Sequence, residues 1–292
     1  FIAGVSRSGT TSLYYYLKQH PDISFPELKE PRYFSSYNLA LPQKGPGDQS
    51  VDKKLVTTFA DYEQLYASIE NAFVGDASSE YLYNYQSAVP EIKARVGDVP
   101  IILMLRNPID RSYSAYSNLV RDGREHLPFD QALDLEAERI AQGYDEMWHY
   151  TRVSTYAAGV KAFMDHFSKV KVLLFDEFSA EPERLVKEVL EFLGAAPLPA
   201  VNTSVAYSKS GKPKSKLITL LFGRGNSLGN ALRGLAFRVL GRTNVERVGR
   251  LLMSEQDDIG PEVRRRLYAQ FEHDITELEH LLGKNLHAWK VE

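Results

Sequence analysis

Short apolar runs alternate with stretches of helical periodicity along the first two thirds of the chain. Apolar runs at residues 1–5, 101–105 and 170–175 are bounded by polar or turn-forming residues, which is typical of buried strands, and Val74 marks a further short strand. Helical patterns separate these runs. The alternation therefore predicts an α/β fold of three layers, with helices on both faces of a central parallel sheet.

Turn signals and leucine spacing place several helix boundaries. Residues 10–20 are predicted to form a helix that ends before Pro21, another helix ends at Gly194, and an amphipathic helix spans residues 262–282. Two stretches rich in Pro, Gly or polar residues are expected to be loops. They are residues 39–52, predicted at the surface, and residues 195–215.

Composition restricts the class of protein. The chain has 292 residues, 43% hydrophobic and 25% charged, so we expect a single domain over residues 1–292. A net charge of −3 does not favour nucleic acid as a partner, and any anion site must come from local geometry.

Cysteine is absent, which excludes thiolate catalysis, Cys-type zinc sites and disulfides. The absence favours a cytoplasmic location. No apolar run approaches the roughly 18 to 20 residues needed to span a bilayer, although an N-terminal signal or anchor could have been trimmed.

Residues 4–11, Gly-Val-Ser-Arg-Ser-Gly-Thr-Thr, lie where the first strand turns into a helix, and we call them the glycine loop. Successive backbone N–H groups at such a turn can hold a phosphate. Gly4 and Gly9 have the spacing of the nucleoside-triphosphate loop, but Thr10 stands where that loop carries Lys. The candidate binding residues are Ser6, Arg7, Ser8, Gly9, Thr10 and Thr11. The alternative is a Gly/Ser-rich turn without a ligand.

A second anion site is predicted where the 101–105 strand ends. Arg106 stands at its carboxyl end, Pro108 suits the first position of the next helix, and Ser114 lies about two turns into that helix. Arg106 and Ser114 could share a phosphate, although a strand-end ion pair and a helix-surface serine are the alternatives. A third candidate is the lysine-rich run 208–216, with Lys212, Lys214 and Ser215, which could equally be a solvated face.

These motifs together resemble the sulfotransferase family that uses PAPS (phosphoadenosine phosphosulfate), particularly bacterial members related to heparan sulfate sulfotransferases. The resemblance runs from Gly4 to about Pro197. It rests on the glycine loop followed by His-Pro, on Lys-Glu-Pro-Arg-Tyr-Phe at residues 29–34, on Leu-Arg-Asn-Pro at residues 105–108 and on Leu-Glu-Phe-Leu-Gly at residues 190–194.

The resemblance implies that the glycine loop holds the 5′-phosphosulfate of PAPS and that Arg106 and Ser114 hold its 3′-phosphate. The product nucleotide would be PAP, and no metal is expected. Arg7, which replaces the family's usual Lys, would stabilise the departing phosphate, and Glu30 would be the general base. Asp76 is the alternative base or a group that orients Arg7.

The acceptor implied by the resemblance is a carbohydrate, sulfated on a hydroxyl or an amine. Candidate acceptor contacts are Lys29, Arg32, Tyr81 and His126. Residues 81–85 could form an aromatic platform with Tyr33, Phe34, Trp148 and Tyr150, or the alternating tyrosines could equally be an exposed strand or helix face. Residues 75–78, Gly-Asp-Ala-Ser, lack the Lys of the heparan-type segment, so we expect a different acceptor geometry.

An amphipathic stretch carries four arginines that suit an anionic glycan, a membrane surface or a partner subunit. They are Arg224, Arg233, Arg238 and Arg242.

Two other functions stay open at this point. A P-loop kinase would need a Lys after Gly9 and an acidic Mg²⁺ ligand, and a non-catalytic nucleotide-binding protein would bind PAP without transferring sulfate. Neither the oligomeric state nor the sulfation position follows from the sequence.

Overall fold

The structure is a computed structural model, and it describes residues 1–39, 41–204, 212–213, 253–254 and 258–290. The four arginines of the amphipathic stretch lie outside the described residues, and so do Lys214 and Ser215.

The described residues contain strands β1 to β7, helices α1 to α11 and four 3₁₀ helices. The strands are β1 (Ile2–Gly4), β2 (Ile23–Ser24), β3 (Phe73–Val74), β4 (Ile101–Leu105), β5 (Val170–Leu174), β6 (Lys212–Pro213) and β7 (Met253–Ser254). The helices are α1 (Thr10–Leu17), α2 (Gln49–Asp52), α3 (Phe59–Gln64), α4 (Tyr85–Arg95), α5 (Pro108–Arg121), α6 (Phe129–Asp134), α7 (Glu136–Ala141), α8 (Ala157–His166), α9 (Phe175–Ala180), α10 (Pro182–Leu193) and α11 (Pro261–Leu282). The 3₁₀ helices are Tyr33–Asn38, Glu146–Trp148, Arg152–Ser154 and His287–Trp289.

The central sheet is parallel, as the alternation of strands and helices predicts. Its strands β1, β4 and β5 are neighbours in that order, and β2 pairs with β3 in a second parallel ladder. Two backbone hydrogen bonds join β1 to the segment that follows β3: the N–H of Ile2 donates to the Asp76 carbonyl at 2.8 Å, and the N–H of Leu82 donates to the Ala3 carbonyl at 2.7 Å. Strands β6 and β7 form a separate antiparallel pair.

Strand β4 is completely buried, and its side chains alternate between two cores. Ile101, Leu103 and Leu105 pack with residues of α4, α5, α8 and α11. On the opposite face, Ile102 and Met104 pack with residues of α1, α9 and α10. Helices therefore cover both faces of the sheet, and the predicted three-layer α/β fold is confirmed.

Helix ends follow the predicted turn chemistry. Asn107 caps α5, since its side chain accepts a hydrogen bond from the N–H of Ile109 at 3.0 Å, and Pro108 occupies the first turn. Gly194 ends α10 in the left-handed region, with φ of 76°. No helix in the described part of the chain combines the length and apolarity needed to cross a bilayer.

The prediction that residues 39–52 form a surface loop is wrong in part. Asp48 is completely buried, and its carboxylate accepts hydrogen bonds from Arg124 and from the indole N–H of Trp148. A charged partner and a buried indole donor make this burial tolerable, and neither is visible within the loop's own sequence.

Candidate functional site

The glycine loop connects β1 to α1 and passes close over the carboxyl end of β4. Gly9 precedes the helix with φ of 91°, a conformation that side chains rarely adopt. A Cβ at this position would lie 3.1 Å from Phe175 and 3.2 Å from Met104. Glycine therefore serves both the turn and the close packing of the loop against the sheet.

A cavity of about 730 Å³ opens between the glycine loop, α5 and α9. Its walls bring together residues from the carboxyl ends of β1, β4 and β5, the edge at which ligands of open parallel sheets collect. The cavity is lined by Ser6, Arg7, Gly9, Thr10, Thr11, Ser12, Tyr16, Glu30, Ser79, Glu80, Arg106, Asn118, Arg121, Met147, Phe175, Phe178, Ser179, Pro182 and Thr203.

The two predicted anion sites meet in this cavity. Arg106 donates from its guanidinium to the Arg7 carbonyl at 3.2 Å and lies 4.6 Å from the centre of the Phe175 ring. Nε of Arg7 donates to the Ser114 hydroxyl at 3.2 Å. The glycine loop and the start of α5 therefore form one continuous wall, although Ser114 itself is completely buried behind Arg7.

Arg111 supports this wall from behind. Its side chain is completely buried and donates to the Ser6 carbonyl at 3.1 Å, to the Ser6 hydroxyl at 2.7 Å and to the Tyr150 carbonyl at 3.2 Å. These bonds tie the glycine loop to α5 and to the segment around Tyr150. The loop is thus held in one conformation from the side that faces away from the cavity.

Positive charge is concentrated at this end of the cavity. Burial and the neighbouring guanidiniums of Arg121, Arg106 and Arg111 lower the pKa of Arg7 to about 9, and Asp122 opposes that effect. Four guanidiniums that repel one another are stabilised by an anion of more than one charge. The arrangement fits a nucleotide with separate phosphate groups.

Asn118 and Arg121 also line the cavity, and neither was predicted from the sequence. They follow Ser114 at four and seven positions on α5 and therefore share its face of the helix. Helical spacing counted onward from Ser114 would have found them.

Glu30 lines the same cavity from the loop before the first 3₁₀ helix, and it forms an ion pair with Lys29. Its φ of 63° is positive, as are those of Arg7 at 72° and Arg32 at 59°. These are the non-glycine residues with positive φ in the described chain, and all three were candidate site residues. Strained backbone of this kind often occurs at functional sites.

Asp76 does not line the cavity. It is 2% exposed and accepts hydrogen bonds from the hydroxyls of Tyr62 at 3.1 Å, Ser78 at 2.7 Å and Tyr81 at 2.9 Å. Burial raises the pKa of Asp76, and these three hydroxyls oppose the rise. The position does not suit the predicted roles of general base or partner of Arg7, because the carboxylate is fully engaged in the core.

Most of the predicted aromatic platform is also buried. Tyr81, Tyr33, Phe34 and Tyr150 are each 1% exposed or less, so their rings present no surface to a sugar. The rings pack edge-to-face or tilted, for example Phe34 and Tyr81 with centroids 5.7 Å apart. Of the alternating tyrosines, Tyr81 belongs to the core, whereas Tyr83 and Tyr85 are partly buried and pack against it.

Arg32 and His126 differ in their exposure, and neither lines the cavity. Arg32 is 6% exposed and faces Glu80, Asp145 and Glu146, with its nearest contact at 3.0 Å to Glu80. The role of Arg32 in binding an acceptor stays a prediction. His126 is exposed on the loop after α5. Its role in binding an acceptor stays a prediction.

Glu80 is a cavity residue that the sequence analysis missed. It is 9% exposed, and its Oε2 atom has no hydrogen-bond partner among the described residues. Burial, together with the charges of Glu30 and Glu146, raises the pKa of Glu80 to about 8, and Arg32 opposes the rise. A single glutamate in a mixed polar segment gave no signal that it would be buried at a site.

The remaining candidates fall near the cavity or outside the described chain. Ser8 is completely buried, and its hydroxyl has no hydrogen-bond partner within the described residues. Strand β6, which contains Lys212, lies beside α5. Among the described side chains, no group of three or more His, Cys, Asp or Glu residues is arranged to hold a metal ion.

Comparisons with known proteins agree with this geometry. Residues 1–198 match a family model described as the Sulfotransferase family. The crystal structure of a sulfotransferase from Alicyclobacillus acidocaldarius is 32% identical and superposes with a TM-score of 0.78, covering 99% of this chain and 97% of that one. The chain therefore belongs to the sulfotransferase family, and the family resemblance is confirmed.

Curated relatives match over shorter regions. The membrane-associated sulfotransferase kil1 of Dictyostelium discoideum is 33% identical over 39% of this chain and 21% of the relative. Human heparan sulfate glucosamine 3-O-sulfotransferase 3B1 is 25% identical over 66% of this chain and 45% of the relative. The chain thus spans less than half the length of these relatives.

Proposed function

We propose that the cavity binds PAPS and that the protein transfers its sulfuryl group to a hydroxyl or amine of a saccharide. One observation carries the proposal: the glycine loop and Arg106 line the same cavity, and Arg7 is hydrogen-bonded to Ser114. Two anion-binding elements at one sheet edge suit a donor with phosphate groups at both ends of its ribose. Family membership supports the same donor and PAP as its product.

The donor would be held by groups of two kinds. Backbone N–H groups of the glycine loop, the hydroxyls of Thr10 and Thr11 and the guanidinium of Arg7 would bind the 5′-phosphosulfate. Arg106 would bind the 3′-phosphate, and Ser114 would hold the Arg7 guanidinium in position from behind. Strand β6 lies beside α5, which supports a contribution from Lys212 at this end.

PAPS supplies an activated sulfuryl group, which is transferred as the bond from sulfur to the bridging phosphate oxygen breaks. Glu30 lines the cavity and would take the proton of the acceptor hydroxyl as the new oxygen–sulfur bond forms. Arg7 and the loop N–H groups would stabilise the negative charge that develops on the departing phosphate. The sulfuryl group carries less negative charge than a phosphoryl group, so the arginines can replace a Mg²⁺ clamp.

A saccharide acceptor is supported by relatives whose names specify heparan sulfate sulfotransferases. Heparan sulfate is a sugar polymer, and the cavity, at about 730 Å³, lies within the usual size range of ligand sites. The single domain, the cytoplasmic location and the exclusion of nucleic acid as a partner stay predictions.

Binding and transfer assays together test the proposed function. PAP should raise the melting temperature of the protein more than ADP with Mg²⁺ does, and labelled PAPS should transfer sulfate to saccharide acceptors. A larger stabilisation by ADP with Mg²⁺ would favour a kinase instead. Stabilisation by PAP without transfer to any acceptor would favour a non-catalytic nucleotide-binding protein.

A further inference from the structure

The cavity has two ends of opposite charge. Arg7, Arg106 and Arg121 line one end of the cavity, and Glu30 and Glu80 line the other. The main electrostatic influences on Arg7 come from Arg121, Arg106 and Arg111, whereas those on Glu80 come from Arg32, Glu30 and Glu146. The cationic and acidic groups therefore form separate clusters.

The acidic end gathers more carboxyl groups than cations. Arg32 lies within 4 Å of three carboxylates, at 3.0 Å from Glu80, 3.5 Å from Asp145 and 3.9 Å from Glu146. Glu30 adds a fourth carboxylate, and Lys29 pairs with it. Four acids thus face two cations, and neither of those cations lines the cavity.

Glu80 is the member of this cluster that points to a ligand. Its side chain is nine-tenths buried and lines the cavity, and its Oε2 atom has no hydrogen-bond partner among the described residues. Leaving a buried carboxylate oxygen without a donor is costly. Because the Glu80 side chain lines the cavity, a small rotation of its carboxyl group would bring Oε2 within reach of a hydroxyl or ammonium of a bound acceptor.

We propose that Glu80 is a specificity-determining residue, which together with Glu30 forms an acceptor subsite for amine-bearing or uncharged saccharides and disfavours polyanionic ones. The inference rests on the proposed function, since it assigns the acidic end of the cavity to the acceptor. An acceptor amine or hydroxyl donates to Glu80, whereas a sulfate or carboxylate beside the reacting group is repelled by the cluster.

Acceptor binding to the PAP complex measures this preference without requiring turnover. The probes are three tetrasaccharides of equal length: a glucosamine tetramer, its N-acetylated form and a hyaluronan tetrasaccharide, which carries glucuronate. We expect the glucosamine tetramer to bind at least about tenfold more tightly than the hyaluronan tetrasaccharide, a difference of about 1.4 kcal/mol. The N-acetylated form should lie between them.

Three variants assign the preference to Glu80. Glu80→Gln should reduce the tenfold ratio to near one while leaving the Kd for PAP within about twofold, and Glu80→Asp, which keeps the charge, should retain most of the ratio. Glu91→Gln removes an exposed acid that pairs with Arg95 on α4, so it should change neither quantity.

Two outcomes would overturn the inference. One is equal affinity of the wild-type PAP complex for all three probes, and the other is an unchanged ratio in Glu80→Gln. Failure of the wild-type protein to bind PAP contradicts the proposed function instead, so the two failures are distinguishable.

Discussion

Nε of Arg7 donates a hydrogen bond to the hydroxyl of Ser114 at 3.2 Å, and this bond joins two segments that are 107 positions apart. It places a residue of the glycine loop against the helix that follows Arg106. Because Arg106 in turn donates to the Arg7 carbonyl, the two anion-binding elements are mechanically one unit. A ligand that orders one of them orders the other.

Removing Arg106 should weaken nucleotide binding. Arg106→Ala is expected to reduce the affinity for PAP by about 1.5 to 3 kcal/mol, the scale of a charged hydrogen bond, as measured by isothermal titration calorimetry. Arg266→Ala is a matched control, since Arg266 pairs with Asp134 at the surface. Wild-type affinity in the Arg106 variant would refute the assignment.

Arg7 is expected to act through both its charge and its hydrogen bond to Ser114. Arg7→Ala should lower kcat by about 10² to 10³, the effect of losing one donor to a developing anion. Arg7→Lys keeps the charge and should lose less, although a compact ammonium cannot reproduce the Nε contact. Single-turnover rates with labelled PAPS distinguish the two variants. Equal rates for both would show that the charge contributes nothing.

Glu30 should be needed for chemistry but not for donor binding. Glu30→Gln is expected to leave PAP affinity near normal while removing turnover, because an amide cannot accept the proton of the acceptor. Calorimetry measures the PAP affinity and a sulfate-transfer assay measures the turnover, both on one preparation of the variant. Unchanged turnover would assign the role of general base to another acid. Glu80 would then be a better candidate than Asp76, because Glu80 lines the cavity.

Tyr81 should contribute to stability and not to catalysis. Tyr81→Phe removes the hydroxyl that donates to Asp76 at 2.9 Å, so the free energy of unfolding should fall by about 1.5 to 3 kcal/mol. Urea denaturation measures the loss. The kcat of the folded variant should match the wild type, and a rise in the acceptor KM would restore Tyr81 as an acceptor contact.

His149 should make stability fall between pH 7 and pH 5. Burial lowers the pKa of His149 to about 4, and its neutral ring fits between the Tyr83 hydroxyl and the Tyr144 carbonyl. With an unfolded pKa of about 6.5, the unfolded chain binds more protons over this range, and stability falls by about 2 kcal/mol as the pH is lowered.

The matched variant for this effect is His149→Gln, which can keep one donor and one acceptor but does not titrate. Urea denaturation at pH 7 and pH 5 should show a pH-dependent loss about 2 kcal/mol smaller in His149→Gln than in the wild type. Equal losses in the two proteins would contradict the prediction.

Local patterns predicted the framework of the fold well. Strand β4 has the predicted bounds, α11 begins one residue before the prediction, and Gly194 ends α10. The glycine loop and Arg106 were predicted to meet because both follow strands of one parallel sheet, and a shared sheet edge follows from topology alone.

The acceptor side could not be predicted in the same way. Tyr81 has the same sequence pattern whether it is exposed or buried, and its core position depends on Asp76 and on Tyr62 from a distant helix. Glu80 is buried against Arg32, which lies 48 positions away in sequence. Such pairings arise only when the chain is folded, so propensity and periodicity do not reveal them.

The residues proposed to bind the nucleotide and those proposed to face the acceptor come from different kinds of structure. Arg106 and the glycine loop adjoin the rigid strands of the sheet, whereas Glu30 and Glu80 stand on connecting segments. Connecting segments tolerate exchange far better than sheet edges do. Selection or engineering can therefore redirect this scaffold towards new sulfated products while the energy-rich donor stays the same.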